Sequence, residues 1–226
     1  MKIQRIGVII VSLFTASLAQ AQYSWNGPGE MGPYFRAGVG PTIFQDSELR
    51  GFSVFGTQAP NSSVHYDVGF AFDGAIGFNF DKYVGLDFET GYIRGRMNDV
   101  PGYFAHGSTM SNVPFLANLT LSFPLPHSNV VPYVGAGAGG AASIFDAHDF
   151  TYSGGSQPFI DGSASDGVFA GQLFAGVRFM LDPHVSLGVG YKFFATGDPS
   201  FSGNGVSARF QGVRTHSILV TFQANF

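Results

Sequence analysis

The sequence predicts an all-β chain that closes as an eight-stranded, antiparallel, up-and-down transmembrane β-barrel. Three observations carry that expectation: an N-terminal export signal, an apolar/polar alternation with a period of two, and connections that alternate between short and long. The alternation is plainest at the end of the chain. Ile218, Val220, Phe222, Ala224 and Phe226 are apolar, while Leu219, Thr221, Gln223 and Asn225 between them are mostly polar. A period of two is the side-chain repeat of a strand with one dry and one wetter face. In an exported chain, it points to alternation between lipid and lumen.

The export signal is compact. Lys2 and Arg5 precede an apolar stretch over residues 6–14 that is too short to span a bilayer as a helix, and Ala19-Gln20-Ala21 offers the small residues a signal peptidase accepts. The expected division is a signal peptide over 1–21, a short N-terminal segment over 22–33 and the barrel over 34–226. A cut after Ala19 is the alternative to one after Ala21.

Losing Lys2 and Arg5 leaves nine of the eleven basic residues against fifteen acidic ones, a net charge of −6. Nucleic acid is therefore not an expected partner, because its phosphates demand clustered Lys and Arg. The chain has no cysteine, so neither a disulfide framework nor a thiolate metal site is available. Only 12% of residues are charged, whereas 32 are Gly and 25 are Phe. A soluble domain carries roughly a quarter charged residues, so something other than water must meet this apolar content. No helix-length apolar run follows residue 21, which excludes a helical inner-membrane protein.

Eight segments alternate. Residues 34–44 set Phe35, Ala37, Val39 and Ile43 against Arg36, Gly38, Gly40 and Thr42, and residues 66–80 set Val68, Phe70, Phe72, Ile76, Phe78 and Phe80 against Asp67, Asp73, Ala75 and Asn79. Residues 84–92 oppose Leu86, Phe88 and Tyr92 to Asp87 and Glu89, and 113–123 oppose Phe115, Ala117, Leu119 and Leu121 to Asn118, Thr120 and Ser122. The fifth segment, 130–143, alternates Val134, Ala136 and Ala138 with Gly135, Gly137 and Gly139. Its glycines are expected to make room for aromatic side chains inside the barrel, since small barrels fill their interiors with alternating small and large residues. A ligand pocket beside Tyr133 is the other reading. Residues 168–181 and 185–193 place Gln172, Arg178 and Lys192 on their wet faces, and the strand from Ile218 to Phe226 is the eighth.

The connections repeat the same message. Residues 81–83, 124–129 and 182–184 are tight turns, whereas 45–65, 94–112, 145–166 and 195–212 are expected as long loops rich in Gly, Ser, Asn and Asp. Outer-membrane barrels carry short periplasmic turns and long extracellular loops.

The ordered motifs Gly32-Pro33-Tyr34-Phe35-Arg36-Ala37-Gly38-Val39-Gly40, Gly74-Ala75-Ile76-Gly77-Phe78-Asn79-Phe80, Pro132-Tyr133-Val134-Gly135-Ala136-Gly137, Ala175-Gly176-Val177-Arg178-Phe179 and Gly188-Val189-Gly190-Tyr191-Lys192-Phe193, with the terminal Phe226, carry a likeness over most of the chain. It resembles the small eight-stranded outer-membrane β-barrel family that includes the membrane domain of outer-membrane protein A and the opacity-type surface proteins. The resemblance implies residence in the bacterial outer membrane and a C-terminal strand, here with Phe222 and Phe226, that the assembly machinery reads as its signal. Ala224 stands where the family usually has an aromatic.

Six wet-face charges, Arg36, Arg178 and Lys192 against Asp73, Asp87 and Glu89, are expected to meet in the lumen as a salt-bridged plug, with an ion path as the competing reading. No catalytic, cofactor-binding or metal-ligating residue is assigned. His216 and Ser217 are neighbours on a strand and point to opposite faces, which denies them a nucleophile–base pairing. Asp146, His148 and Asp149 read as solvated loop residues. The expected function is a structural or surface-interaction barrel, with its long loops as the contact region; a narrow pore for small ions or solutes is the alternative. Expected partners are outer-membrane lipid and lipopolysaccharide, the outer-membrane assembly machinery and an extracellular ligand of unknown identity. The chain is expected to act as a monomer without cofactor.

Overall fold

The computed structural model describes residues 31–54, 57–58, 62–99, 103–104, 108–152, 160–203 and 206–226, with side chains omitted over 49–62, 98–107, 147–162 and 203–208. The expected signal peptide, and most of the segment after it, lie outside these residues. The described residues form β1 (Gly32–Phe44), β2 (Ser47–Val54), β3 (Thr57–Gln58), β4 (Ser62–Tyr66), β5 (Gly69–Asn79), β6 (Val84–Asp99) and β7 (Tyr103–Phe104). They continue as β8 (Thr109–Ser122), β9 (Val130–Tyr152), β10 (Ile160–Met180), β11 (Val185–Thr196), β12 (Ser200–Gly203), β13 (Val206–Phe210) and β14 (Arg214–Asn225).

Eight of these strands make a closed ring. Antiparallel ladders join β1 to β5, β5 to β6, β6 to β8, β8 to β9, β9 to β10, β10 to β11, β11 to β14 and β14 back to β1. Closure rests on the pairing of Phe35 with Ala224, Ala37 with Phe222 and Val39 with Val220. Without it, two strand edges would stand in hydrocarbon, where an unsatisfied backbone group costs several kcal/mol. Phe226 adds one more bond, its N donating to Pro33 O at 2.9 Å.

The alternation sorts the side chains as the sequence predicts. Val39, Phe72, Ile76, Phe88, Leu173, Val189 and Phe222 stand on the outer wall, Leu173 with 60% of its surface exposed. On a water-soluble monomer a continuous apolar girdle of this extent would be an aggregation surface. Against acyl chains it is the required solvent face. Inward residues of the ring strands, Tyr34, Arg36, Asp87, Leu116, Phe174, Lys192 and Phe194, are buried.

Two tight turns share one device. In the turn after β5, Asp81 Oδ1 accepts from the backbone N–H groups of Tyr83 and Val84, both at 2.7 Å. After β10, Asp182 Oδ1 accepts from those of His184 and Val185 at 2.7 and 2.8 Å. A short acidic side chain bonding the backbone ahead of it mimics a turn and fixes where the next strand begins.

The expected long loops are corrected by the structure: much of each is strand. β9 and β10 have 23 and 21 residues, about twice the 9–11 residues a strand needs to cross the bilayer. They rise together beyond the membrane, pairing Ser163 with Asp146 and Ile160 with Phe150. Asp146 is thus a strand residue rather than part of a solvated loop, whereas the side chains of His148 and Asp149 lie outside those described. β14 likewise opens at Arg214, before the expected Ile218. Beside these extensions, β2 pairs with β13 and β4, and β4 pairs with β6. The cause lies in burial: Val64, Met97, Met110, Phe145, Phe201 and Phe210 close a core at this end of the barrel. Tyr66 seals its edge, stacked on Phe44 at 5.1 Å and sharing a 3.0 Å hydrogen bond with Ser47 Oγ. Burial pushes the Tyr66 phenol up to about 12, so it keeps its proton.

A closed ring of this kind resists detergent until its ladders melt together. The folded protein should migrate differently from the boiled protein on a detergent gel. Identical migration of a correctly inserted sample would contradict the closed ring.

Candidate functional site

The lumen is built in layers, each set by the parity of its strands. Nearest the short turns, Arg178 donates to Gln223 Oε1 at 2.7 Å and to Ser122 Oγ at 2.5 Å, and its guanidinium lies 5.2 Å from the centre of the Tyr133 ring. The void lined by Tyr34, Tyr133, Phe174 and Arg178 measures about 10 Å³. The inner glycines explain how so many large groups fit. A Cβ at Gly135 would collide with the Phe174 ring, and one at Gly190 would come within 2.5 Å of Tyr133 Oη. The room beside Tyr133 is therefore occupied by the protein itself.

The next layer gathers five of the six predicted charges. Lys192 Nζ, from β11, lies 2.5 Å from Asp73 Oδ2 on β5 and 2.6 Å from Glu89 Oε1 on β6. Arg36 Nη2, from β1, reaches Asp87 Oδ2 at 3.2 Å and Glu89 Oε2 at 3.0 Å. Three uncharged side chains complete the set. Asn118 donates to Asp87 Oδ1 at 2.6 Å and Glu89 Oε2 at 3.1 Å, Gln172 donates to Glu89 Oε1 at 3.1 Å, and Tyr34 donates to Asp87 Oδ2 at 2.6 Å.

Glu89, only 1% exposed, thus accepts from four donors on four strands. Multiple charge-assisted donors of this sort are what allow a carboxylate to remain in a confined interior. Asp73 is less well served, because its Oδ1 has no protein donor among the described residues. Arg178 stands apart from this layer and takes neutral acceptors instead of a carboxylate. The sequence showed which residues face inward, but not that Tyr34, Asn118 and Gln172 serve as the connectors. Their inward parity and their hydrogen-bonding capacity were the available signals.

Past the charges, Leu116, Phe194, Ala71, Ala170 and Leu219 form an apolar layer in which Leu116 and Phe194 have no exposed surface. Beyond it lies a polar layer with Ser217 Oγ donating to Thr42 Oγ1 at 2.8 Å and Ser143 Oγ donating to Asn112 Oδ1 at 2.7 Å. His216 points the other way, its ring 2.5 Å from Tyr191 Oη and 2.6 Å from Gln45 Nε2 on the outer wall. Ser217 and His216 accordingly form no nucleophile–base pair. Phe222, the other outward residue singled out near the C-terminus, is 41% exposed.

The sequence matches the family model for the outer membrane protein beta-barrel domain over residues 6–226. The chain belongs to this family. No curated protein matches it significantly. Among solved structures it is similar to OprG of Pseudomonas aeruginosa, with a TM-score of 0.55 and 16% identity over 88% of this chain and 99% of that one. It is also similar to the outer membrane protein AlkL, with a TM-score of 0.56 and 17% identity over 90% and 94% of the two chains. For Neisserial surface protein A the TM-score is 0.50, with 18% identity over 86% and 97%. At these identities the likeness concerns the fold. Family and fold together place the protein in the bacterial outer membrane.

The lumen geometry ranks its acids. Removing one partner from a buried ion pair costs about 3–5 kcal/mol, so Glu89→Gln should fall in that range in urea unfolding from lipid vesicles. Asp73→Asn should cost less, about 1–3 kcal/mol, because one of its oxygens has no donor to lose. Glu89→Gln combined with Lys192→Met should cost less than the two single changes added together. Equal costs for Glu89 and Asp73, with strict additivity, would show that the contacts are not coupled.

Proposed function

We propose that this outer-membrane barrel is a non-conducting scaffold whose strand-extended end is a surface-interaction region. The observation that supports this reading is the double closure of the lumen. An ion-paired layer with Glu89 at its centre lies against an apolar layer containing the fully buried Leu116 and Phe194. A solute would have to separate buried charges and then cross a dry constriction, each opposed by desolvation. The extended end has the anatomy of a recognition surface on a rigid support. Its interior is packed by Phe145, Phe201 and Phe210, while Ser202 and the Asp46–His65 pair, 2.9 Å apart, face solvent. The contacted molecule is an extracellular ligand, and Phe222 and Phe226 form the signal read during assembly.

Purified protein in a planar bilayer should give no discrete conductance steps; stable steps altered by Glu89→Gln would establish the narrow pore instead. In intact cells, a cysteine at Ser202 should react with an external bulky thiol reagent, and one at Lys82 should not. The reverse pattern would invert the orientation. Loss of Phe226 together with Phe222→Ser should lower the amount of folded barrel in the membrane and raise the periplasmic pool. Normal folded levels would remove the assembly role.

A further inference from the structure

On β6 the outer wall departs from its apolar rule near the long-loop rim. On β5 the lipid-facing row runs from Phe80 through Phe78, Ile76, Gly74, Phe72 and Phe70 to Val68, which is 69% exposed, with no polar side chain. On β6 the neighbouring row begins mostly apolar, with Leu86, Phe88, Thr90 and Tyr92, and then turns to Arg94 and Arg96. The register pairs Phe72 with Tyr92 and Phe70 with Arg94, and Asp67 N donates to Arg96 O at 3.0 Å. Arg94 therefore lies level with Phe70 and Arg96 beside Asp67, at the height where the girdle approaches its long-loop rim. Arginine on the lipid face is costly at mid-bilayer and nearly neutral only near the interface. Neither has an ion-pair partner among the described residues.

The surface around them is shaped. Asp67, Val68, Gly69, Phe70, Arg94, Arg96 and Thr109 line an outward groove of about 450 Å³. Directly toward mid-bilayer, Tyr92 lies between Phe70 and Phe72, with ring centres 6.1 and 6.0 Å away. The Tyr92 hydroxyl is fixed at 2.9 Å from Ser111 Oγ. The arrangement is amphipathic along the membrane normal, with an aromatic shelf below and two guanidiniums above. Residues two apart on a strand lie about 7 Å apart on one face, and planar guanidiniums match phosphate oxygens bidentately. Among the described residues that line the groove, Asp67 is the one acid against the two arginines, a net positive balance.

We infer that this groove is a binding site for a phosphorylated glycolipid of the outer leaflet, with its acyl chains on the Phe70–Tyr92–Phe72 shelf and its phosphate between Arg94 and Arg96. The inference rests on the proposed orientation, in which the long-loop end faces outward and so meets the glycolipid leaflet. Binding of the lipid itself does not depend on how the barrel is inserted, which allows the two readings to fail separately.

The test uses the folded full-length mature protein in phosphatidylcholine nanodiscs doped with phosphorylated lipid A, its dephosphorylated form or phosphatidylglycerol, with lipid retained after detergent extraction counted by native mass spectrometry. Wild-type protein should retain phosphorylated lipid A at least roughly tenfold better than Arg94→Gln/Arg96→Gln, given how strongly each basic residue at a membrane surface attracts anionic lipid. It should also prefer phosphorylated lipid A to the dephosphorylated form and to phosphatidylglycerol. The variant must still show the heat-dependent gel shift, and a Lys82→Gln control on the opposite rim should retain lipid as wild type does. Equal retention by wild type and the arginine variant, or equal retention of the dephosphorylated glycolipid, would overturn the inference. So would displacement of the lipid by millimolar inorganic phosphate, which would identify a free-anion site. If external labelling at Ser202 failed while glycolipid retention held, the orientation would fall and the groove would stand.

Discussion

Backbone hydrogen bonding in a medium without water governs this molecule. Every N–H and C=O within the bilayer must find a partner in the sheet, and only a ring leaves no edge. Once β14 lies against β1, the rest is constrained. Side-chain parity divides the wall into a lipid face and a lumen face, and eight strands leave a lumen only wide enough for side chains. The polar residues that parity sends inward cannot be hydrated by a channel and must satisfy one another. The dense bonding of Glu89 with Arg36, Lys192, Asn118 and Gln172 follows from closure.

The same constraint makes the interior heterogeneous. Charges occupy one stretch of the lumen, whereas Leu116 and Phe194 occupy the next. Removal of water on both sides of an ion pair strengthens its attraction and raises the penalty for leaving any member unpaired. The apolar layer and the charged layer therefore support each other. At the long-loop end the barrel no longer depends on lipid for its outer solvent. Its walls continue upward because Phe145, Phe201 and Phe210 supply a core of their own.

Much of this was legible along the chain. The inward direction of Arg36, Asp73, Asp87, Glu89 and Lys192 follows from a period of two, as do the opposite faces of His216 and Ser217. Which charges meet does not follow, because contacts across the lumen depend on the stagger of all eight ladders. Arg178 illustrates the gap: its parity was plain, yet its partners are Gln223 and Ser122. The strand extensions were hidden for another reason. Gly and Ser dilute the alternation around Phe145 and Phe201, and the pairing of β13 with β2 joins segments more than 150 residues apart in sequence, a closeness that local pattern does not encode.

The inner ion pairs also bear on how the ring avoids closing wrongly. A strand that slips by one residue exchanges its two faces. For β11 that would carry Lys192 into hydrocarbon and Tyr191 into the lumen, leaving Asp73 and Glu89 without their shared ammonium. A slip of two would keep the faces but bring Gly190 or Phe194 to the place of the cation. The contacts linking six of the eight wall strands therefore act as a registration check. A misaligned barrel that completed many backbone bonds would still be rejected by its unmatched charges.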